Sequence, residues 1–237
     1  MGGDNSRISL SAKLMRKVPF VAIAGNIGCG KTTLARLLSN RLGWSHYEEP
    51  VEDNPFLPRF YEEVRNGIRP SDAAAKVQKY FLLYRAMTHM RISALGKPVI
   101  QDRTIYEDRE VFARNLYEVG FLSEEVYEEY SAVYDFSIRD LPLPTLMVFL
   151  EAPLPVLRKR ILARGRPYEI SMADPAEPYL GQLKRLYDRW MGNWSDSELV
   201  RIDSAERNFL DHADTQAHIV QLIEDRLGSR PQSLFDA

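Results

Sequence analysis

Residues 25 to 32 read Gly-Asn-Ile-Gly-Cys-Gly-Lys-Thr and fit the pattern G-x-x-x-x-G-K-[ST] in full. The chemistry of that pattern is phosphate binding. Gly25, Gly28 and Gly30 let backbone N–H groups curl around phosphate oxygens, and the helix that follows points its positive end at them. Lys31 can reach the β- and γ-phosphates of a nucleoside triphosphate, and the Thr32 hydroxyl can ligate Mg²⁺. Asn26, Ile27, Cys29 and Thr33 complete the loop, and Cys29 needs only to be small there.

A phosphate loop does not name the acceptor. No guanine-reading N-K-x-D occurs in the chain, which argues against a GTPase switch. A mechanical ATPase needs more chain or added domains. What remains is a small-molecule kinase, which must supply a second pocket, a group that activates the acceptor, and cations that screen the moving phosphoryl group.

Three further stretches offer those parts. In "YEEPVEDNP", Pro50 stops a strand and exposes carboxylates, with Glu49 the candidate base for a substrate hydroxyl. In "VIQDRT", an apolar strand delivers Asp102 and Arg103 to the same sheet edge. Asp102 can hold Mg²⁺ directly or through water. Arg103 can fix the reacting oxygen or the Glu49 carboxylate. In "LRKRILARGRP", Arg160 and Arg164 lie four apart on one helix face and Arg166 follows on a loop. Together they resemble a lid over phosphates that would stabilise charge in transit. Upstream, "KVQKYFLLYRAM" places Gln78 and Arg85 seven apart on a face shared with Phe81, where polar groups beside aromatic area can read a nucleobase edge.

These residues need a frame. Five β-like runs, 20–25, 44–49, 98–102, 145–151 and 198–203, are separated by helical patterns over 31–42, 72–95, 107–118, 123–138, 154–164, 176–192 and 211–227. Alternation of this kind implies an α/β fold, a mostly parallel five-stranded sheet flanked by helices. With no repeat and no long linker, 237 residues make one domain over 19–230, after a polar extension over 1–18. The consecutive helices 107–118 and 123–138 either cover the core or make a dimer interface.

Composition narrows the partners. A net charge of −2 advertises neither nucleic acid nor an acidic membrane. No apolar run reaches the ~18 residues of a membrane helix, and the start lacks an apolar signal core. "MGGDNS" fits a loose myristoylation pattern, against the blander reading of a disordered start. The single cysteine excludes an internal disulfide and a cysteine-based metal cluster. The cytoplasm is the expected compartment.

Taken in order, "GNIGCGKTT", "EEPV", "VQKYFLLYR", "QDRTIYEDR" and "RGRPYE" resemble the deoxyribonucleoside kinases, over roughly residues 19 to 210. The resemblance implies a P-loop kinase core with a lid region, ATP as phosphoryl donor, Mg²⁺, and a homodimer formed through the helices after the D-R-T strand. It implies that Glu49 is the general base on the 5′-hydroxyl and that Arg103 orients that hydroxyl and the base. Many relatives have Glu-Arg where this chain has Asp102-Arg103, as several bacterial members do. By the same resemblance Gln78, Arg85 and Asp108 read the nucleobase. Glu169 takes the sugar 3′-hydroxyl with Tyr61, Arg160, Arg164 and Arg166 form the lid, and 201–209 holds the donor's adenine. Lys31 completes the catalytic set. The lid segment "PYEISMADPAEPY" is longer than in some relatives.

A Gln amide that donates and accepts in one plane, beside an Arg–Asp pair, suits bases with an N7 acceptor or an exocyclic amine. The expected acceptor is therefore deoxyadenosine or deoxyguanosine, with deoxycytidine as the alternative. Two other readings stand beside it. A nucleoside-monophosphate kinase would need extra cations for the acceptor phosphate, where this chain offers Glu49 and Glu169. A non-catalytic P-loop binding protein would have no use for the catalytic candidates.

Overall fold

Burial on both faces decides which strand sits in the middle. In the computed structural model, which describes residues 18–48, 53–167, 169–170, 174, 178–206, 209 and 212–228, strand β1 (Phe20–Gly25) is buried at every position. Such a strand reads as a continuous apolar run, the mark of a parallel sheet covered on both sides. Its neighbours are β3 (Val99–Asp102) and β4 (Leu146–Glu151), and the edges are β2 (Ser45–Tyr47) and β5 (Glu198–Asp203). The order is β2-β3-β1-β4-β5, and every pairing is parallel. All five expected strands are present, with β2 shorter than the 44–49 run.

The two faces of β1 explain the two layers. Val21 and Ile23 pack into a cluster with Leu34, Leu38, Leu157, Ile219 and Ile223. These come from helices α1 (Lys31–Leu42), α6 (Leu154–Arg164) and α8 (Ala213–Arg226). Ala22 and Ala24 face the other way, against Leu183, Leu186, Tyr187 and Met191 of α7 (Tyr179–Gly192). Alternation along the strand thus assigns each helix to a side.

A third cluster is helical. It joins α2 (Leu57–Arg65), the 24-residue α3 (Asp72–Leu95), α4 (Arg114–Glu118) and α5 (Glu124–Ile138). Ser71 and Ser123 cap α3 and α5, accepting from Ala74 N at 2.9 Å and Val126 N at 3.3 Å. Tyr130 and Tyr134 of α5 are buried in this cluster, so the helical hairpin does cover core, while Val133 and Phe136 of the same helix are exposed.

Two features depart from the sequence expectation. Helix α2 is not among the predicted elements, although Leu57, Phe60 and Val64 lie on one face. Its Pro58 falls in the first turn, where a missing N–H costs nothing. The predicted helix 107–118 is not regular: Asp108–Ala113 forms a π-helical turn, with Arg114 N donating to Arg109 O, before α4 begins. Such turns are rare and concentrate at functional sites. Here the turn buries Asp108 and Val111 while Phe112 lines the central cavity.

Candidate active site

The C-terminal ends of the parallel strands open onto one cavity of about 640 Å³, where ligands bind in sheets of this kind. At its centre β1 runs into the phosphate loop. Gly25 has φ 145°, and a Cβ there would stand 2.5 Å from Leu150 O, so only glycine fits between the loop and β4. Lys31 folds back over the loop, its Nζ donating to Gly25 O at 3.0 Å and Asn26 O at 3.1 Å. Asn26 ties the loop to α7 by donating to Leu180 O at 2.9 Å. Ile27, Gly28, Gly30, Thr32 and Thr33 line the cavity. Cys29 is buried behind it, and burial pushes its thiol up, with Lys31 and Arg103 pulling the other way. A thiol so held is a space-filling group rather than a reactive thiolate.

β3 brings Asp102 to the same edge. Thr32 Oγ1 donates to Asp102 Oδ2 at 2.5 Å. These two hard oxygen ligands, side by side at the phosphate loop, fit a Mg²⁺ ion that takes its remaining ligands from phosphate and water. Among the described residues no group of three or more His, Cys, Asp or Glu side chains is placed to hold a metal ion.

Arg103 follows in the left-handed region, φ 66°, where a non-glycine residue is uncommon. Its N–H donates to Ile23 O at 3.0 Å, which carries the β3–β1 ladder one step further and turns the side chain into the cavity wall. The guanidinium lies 4.4 Å over the Phe112 ring centroid and donates to Tyr187 Oη at 2.8 Å and Glu107 Oε2 at 3.3 Å.

Glu49, the candidate base, lies outside the described residues. Its neighbour Glu48 lines the cavity and accepts from Arg36 Nε at 2.6 Å and Nη2 at 2.8 Å. The Arg36 guanidinium holds the Glu48 carboxyl below its ordinary range, with partial burial opposing and a bond to His46 assisting.

The nucleobase candidates are together. Gln78, Phe81 and Arg85 share one buried face of α3, and all three line the cavity. Arg85 pairs with Asp108, the first residue of the π-helical turn, and its guanidinium sits 5.0 Å over the Phe81 ring. Tyr61 of α2 lines the same cavity, as does Glu169.

The three candidate lid arginines divide. Arg164 and Arg166 both meet Glu169, the latter at 3.5 Å. Arg160 turns instead to the phosphate loop, donating to Cys29 O at 3.3 Å, Ser204 Oγ at 2.9 Å and Ser204 O at 2.6 Å. Sequence reasoning missed Phe112, Tyr179 and Arg36, which also line the cavity with Phe209 of the 201–209 stretch, and Tyr187 and Glu107 behind it. Phe112 was within reach, since it stands four residues after Asp108 on a helical pattern. Phe209 packs on the phosphate loop, where a Cβ on Gly30 would meet its ring at 3.1 Å.

Comparison with known proteins agrees with this geometry. The model of the deoxynucleoside kinase family matches residues 21–227. A deoxyguanosine kinase of Bacillus subtilis is 32% identical over 221 residues, covering 88% of this chain and 100% of that one. A deoxyadenosine/deoxycytidine kinase of the same organism is 27% identical over 209 residues, covering 87% and 92%. Among solved structures, deoxyadenosine kinase from M. mycoides with the products dCMP and dCDP superposes with a TM-score of 0.71 at 26% identity, covering 89% of this chain and 100% of that one.

Proposed function

The chain belongs to the deoxynucleoside kinase family, and from that premise we propose that it transfers the γ-phosphoryl group of ATP to the 5′-hydroxyl of a purine deoxyribonucleoside. The observation that carries the reading is the cavity itself. It holds a phosphate loop at one end and, at the other, Gln78, Phe81 and Arg85, with Asp108 paired to Arg85. A nucleoside laid between them presents its sugar hydroxyl to the loop.

Each residue then has a task. Gln78, Arg85 and Asp108 hydrogen-bond the base edge, and Phe81 and Phe112 flank the ring. Glu169 and Tyr61 take the 3′-hydroxyl. Arg103 holds the 5′-oxygen and Glu49 removes its proton as that oxygen bonds to the γ-phosphorus. The bond to the β–γ bridging oxygen breaks and ADP leaves. Gly25, Asn26, Ile27, Gly28, Cys29, Gly30 and Thr33 cradle the phosphates, while Lys31, Arg164 and Arg166 stabilise charge on the group in transit. Arg160, on the wall of the same cavity, braces the loop against Ser204. Thr32 and Asp102 would hold Mg²⁺, which supplies charge neutralisation at the phosphates.

Residues 19–230 form the kinase domain, acting in the cytoplasm. Among the described residues no helix is long and apolar enough to cross a membrane. A homodimer is supported by the exposed stripe Leu83, Met87 and Met90 on α3, beside Val133 and Phe136 on α5. Apolar surface grouped in this way marks an interaction face.

The test is one panel: ATP with each of the four deoxynucleosides and with nucleoside monophosphates, scored for ADP and phosphorylated product. Deoxyguanosine or deoxyadenosine should give the highest kcat/KM. Deoxycytidine as the best substrate keeps the mechanism and reverses the base choice. Thymidine, or a monophosphate, as the best acceptor overturns the reading of the pocket.

A further inference from the structure

Arg103 is held from a direction that the substrate never reaches. Behind it stand Glu107 and Tyr187, a carboxylate and a phenol that are 0% and 1% exposed. Glu107 Oε1 accepts from Thr104 N at 2.9 Å, and Oε2 accepts from both Arg103 Nη1 and the Tyr187 hydroxyl. Tyr187 Oη in turn accepts from Arg103 Nη1 at 2.8 Å. The three groups close a triangle, with the Phe112 ring 4.4 Å beneath the guanidinium.

The ring of Tyr187 belongs to the apolar layer. It stacks on Phe149 at 5.9 Å and meets Phe112 edge-on at 6.2 Å. A phenylalanine would fill that space equally well. The hydroxyl is therefore present for its hydrogen bonds, and the ones it makes are to Arg103 and Glu107. Glu107 is fully buried, and burial pushes its carboxyl up, with the Arg103 charge foremost among the groups that pull it back and the Tyr187 hydrogen bond assisting.

We infer that Tyr187 and Glu107 are positioning residues for the phosphoryl transfer, fixing the plane of the Arg103 guanidinium that holds the acceptor hydroxyl. The inference rests on the reading of Arg103 proposed above. A guanidinium is a planar fork, and its donors are useful only when the plane faces the reacting oxygen. An error of about 1 Å in such a group can cost roughly 10²-fold in rate. Tyr187 also lies on α7, the helix that follows the lid segment in the sequence.

The experiment is a double-mutant cycle on the full chain, with kcat and both KM values measured for the best deoxynucleoside and ATP. Tyr187→Phe should lower kcat by about tenfold or more while KM for ATP stays within about twofold. In an Arg103→Lys background the same substitution should change kcat by less than about twofold, because the fork it orients is already gone. A loss of equal size in both backgrounds is what a purely structural role produces, and it overturns the inference. So does a Tyr187→Phe enzyme with the wild-type kcat. Glu107→Gln keeps the volume and one acceptor oxygen, and it enters the same cycle with the same expectation should the phenylalanine variant fail to fold. If Arg103→Lys alone retains the wild-type kcat, the reading of Arg103 falls and takes this inference with it. If Arg103→Lys collapses kcat while both partner variants retain it, only this inference falls.

Discussion

Arg85 on α3 and Asp108 at the start of the π-helical turn form an ion pair whose side chains are 5% and 0% exposed. The pair brings a fork of donors and a set of acceptor oxygens together from the long helix and the π-helical turn. Removing Asp108 takes away the buried carboxylate that faces the Arg85 guanidinium.

Asp108→Ala should therefore destabilise the fold by about 3–5 kcal/mol, a fall in melting temperature on the order of 10 °C for a domain of this size. The double variant Arg85→Met/Asp108→Ala should recover most of that loss, because the buried charge is gone. It should not recover kcat/KM for purine deoxynucleosides. Thermal melts and a four-nucleoside panel on both variants check this. A stable double variant with intact purine kinetics would remove the pair from base recognition.

Glu49→Gln should lower kcat by roughly 10²–10⁴-fold, the usual worth of a general base, with a much smaller change in nucleoside KM. The neighbouring Glu48 is engaged by Arg36 and is not free to replace it. Steady-state kinetics decide the matter: an unchanged kcat with a raised KM would make Glu49 a binding residue.

Arg160→Ala should act on the donor side. Its guanidinium joins the phosphate loop at Cys29 O to Ser204 after β5. Charge-assisted hydrogen bonds of this kind are worth about 1.5–3 kcal/mol each. KM for ATP should rise about tenfold or more, while KM for the nucleoside holds. A rise confined to the nucleoside would place Arg160 on the acceptor side instead.

His89 gives a stability prediction. It is fully buried between Phe20 and Tyr106, each ring centroid 5.4 Å away and edge-on. Neither of its ring nitrogens has a hydrogen-bond partner among the described residues. Burial, with the nearby Arg85 charge assisting, pushes its pKa down to about 3. The imidazole is neutral in the folded chain and takes a proton on unfolding below about pH 6.5. Stability is therefore full above that pH and falls as pH drops toward 3, by about 2 kcal/mol at pH 5. His89→Phe should flatten that slope in urea titrations at pH 7, 6 and 5. An identical slope in the variant would show that other groups carry the acid sensitivity.

Much of the architecture is legible in order. The run Phe20–Gly25 announces a strand buried on both faces, and the glycines and lysine after it announce the phosphate loop. The face shared by Gln78, Phe81 and Arg85 is legible because helical spacing is local. Helix α2 is not, because "DNPFLPRF" is punctuated like a turn, and only the packing of Leu57 and Phe60 against α3 makes it a helix. The partner of Arg160 is not legible either. Spacing puts it on the face of Arg164, but Ser204, 44 residues on, decides where the guanidinium goes. Glu107 and Tyr187 are 80 residues apart, and no periodicity links a buried carboxylate to a distant phenol. The wide turn at Asp108–Ala113 has no compositional mark, since a helical pattern is compatible with either register over so few residues.

Helix α3 carries the cavity-lining Gln78, Phe81 and Arg85 on one flank and, about half a turn round, the exposed Leu83, Met87 and Met90. Over 24 residues it is a rigid rod about 36 Å long. A force on the outer flank acts on the roll of that rod. A roll of about 10° carries a side-chain tip on the inner flank through about 1 Å, a distance that can change a rate by roughly 10²-fold. The helix is thus a torsion bar: a change of packing at Met87 or Met90, on the flank away from the cavity, reaches Gln78 and Arg85 through the rod's own stiffness.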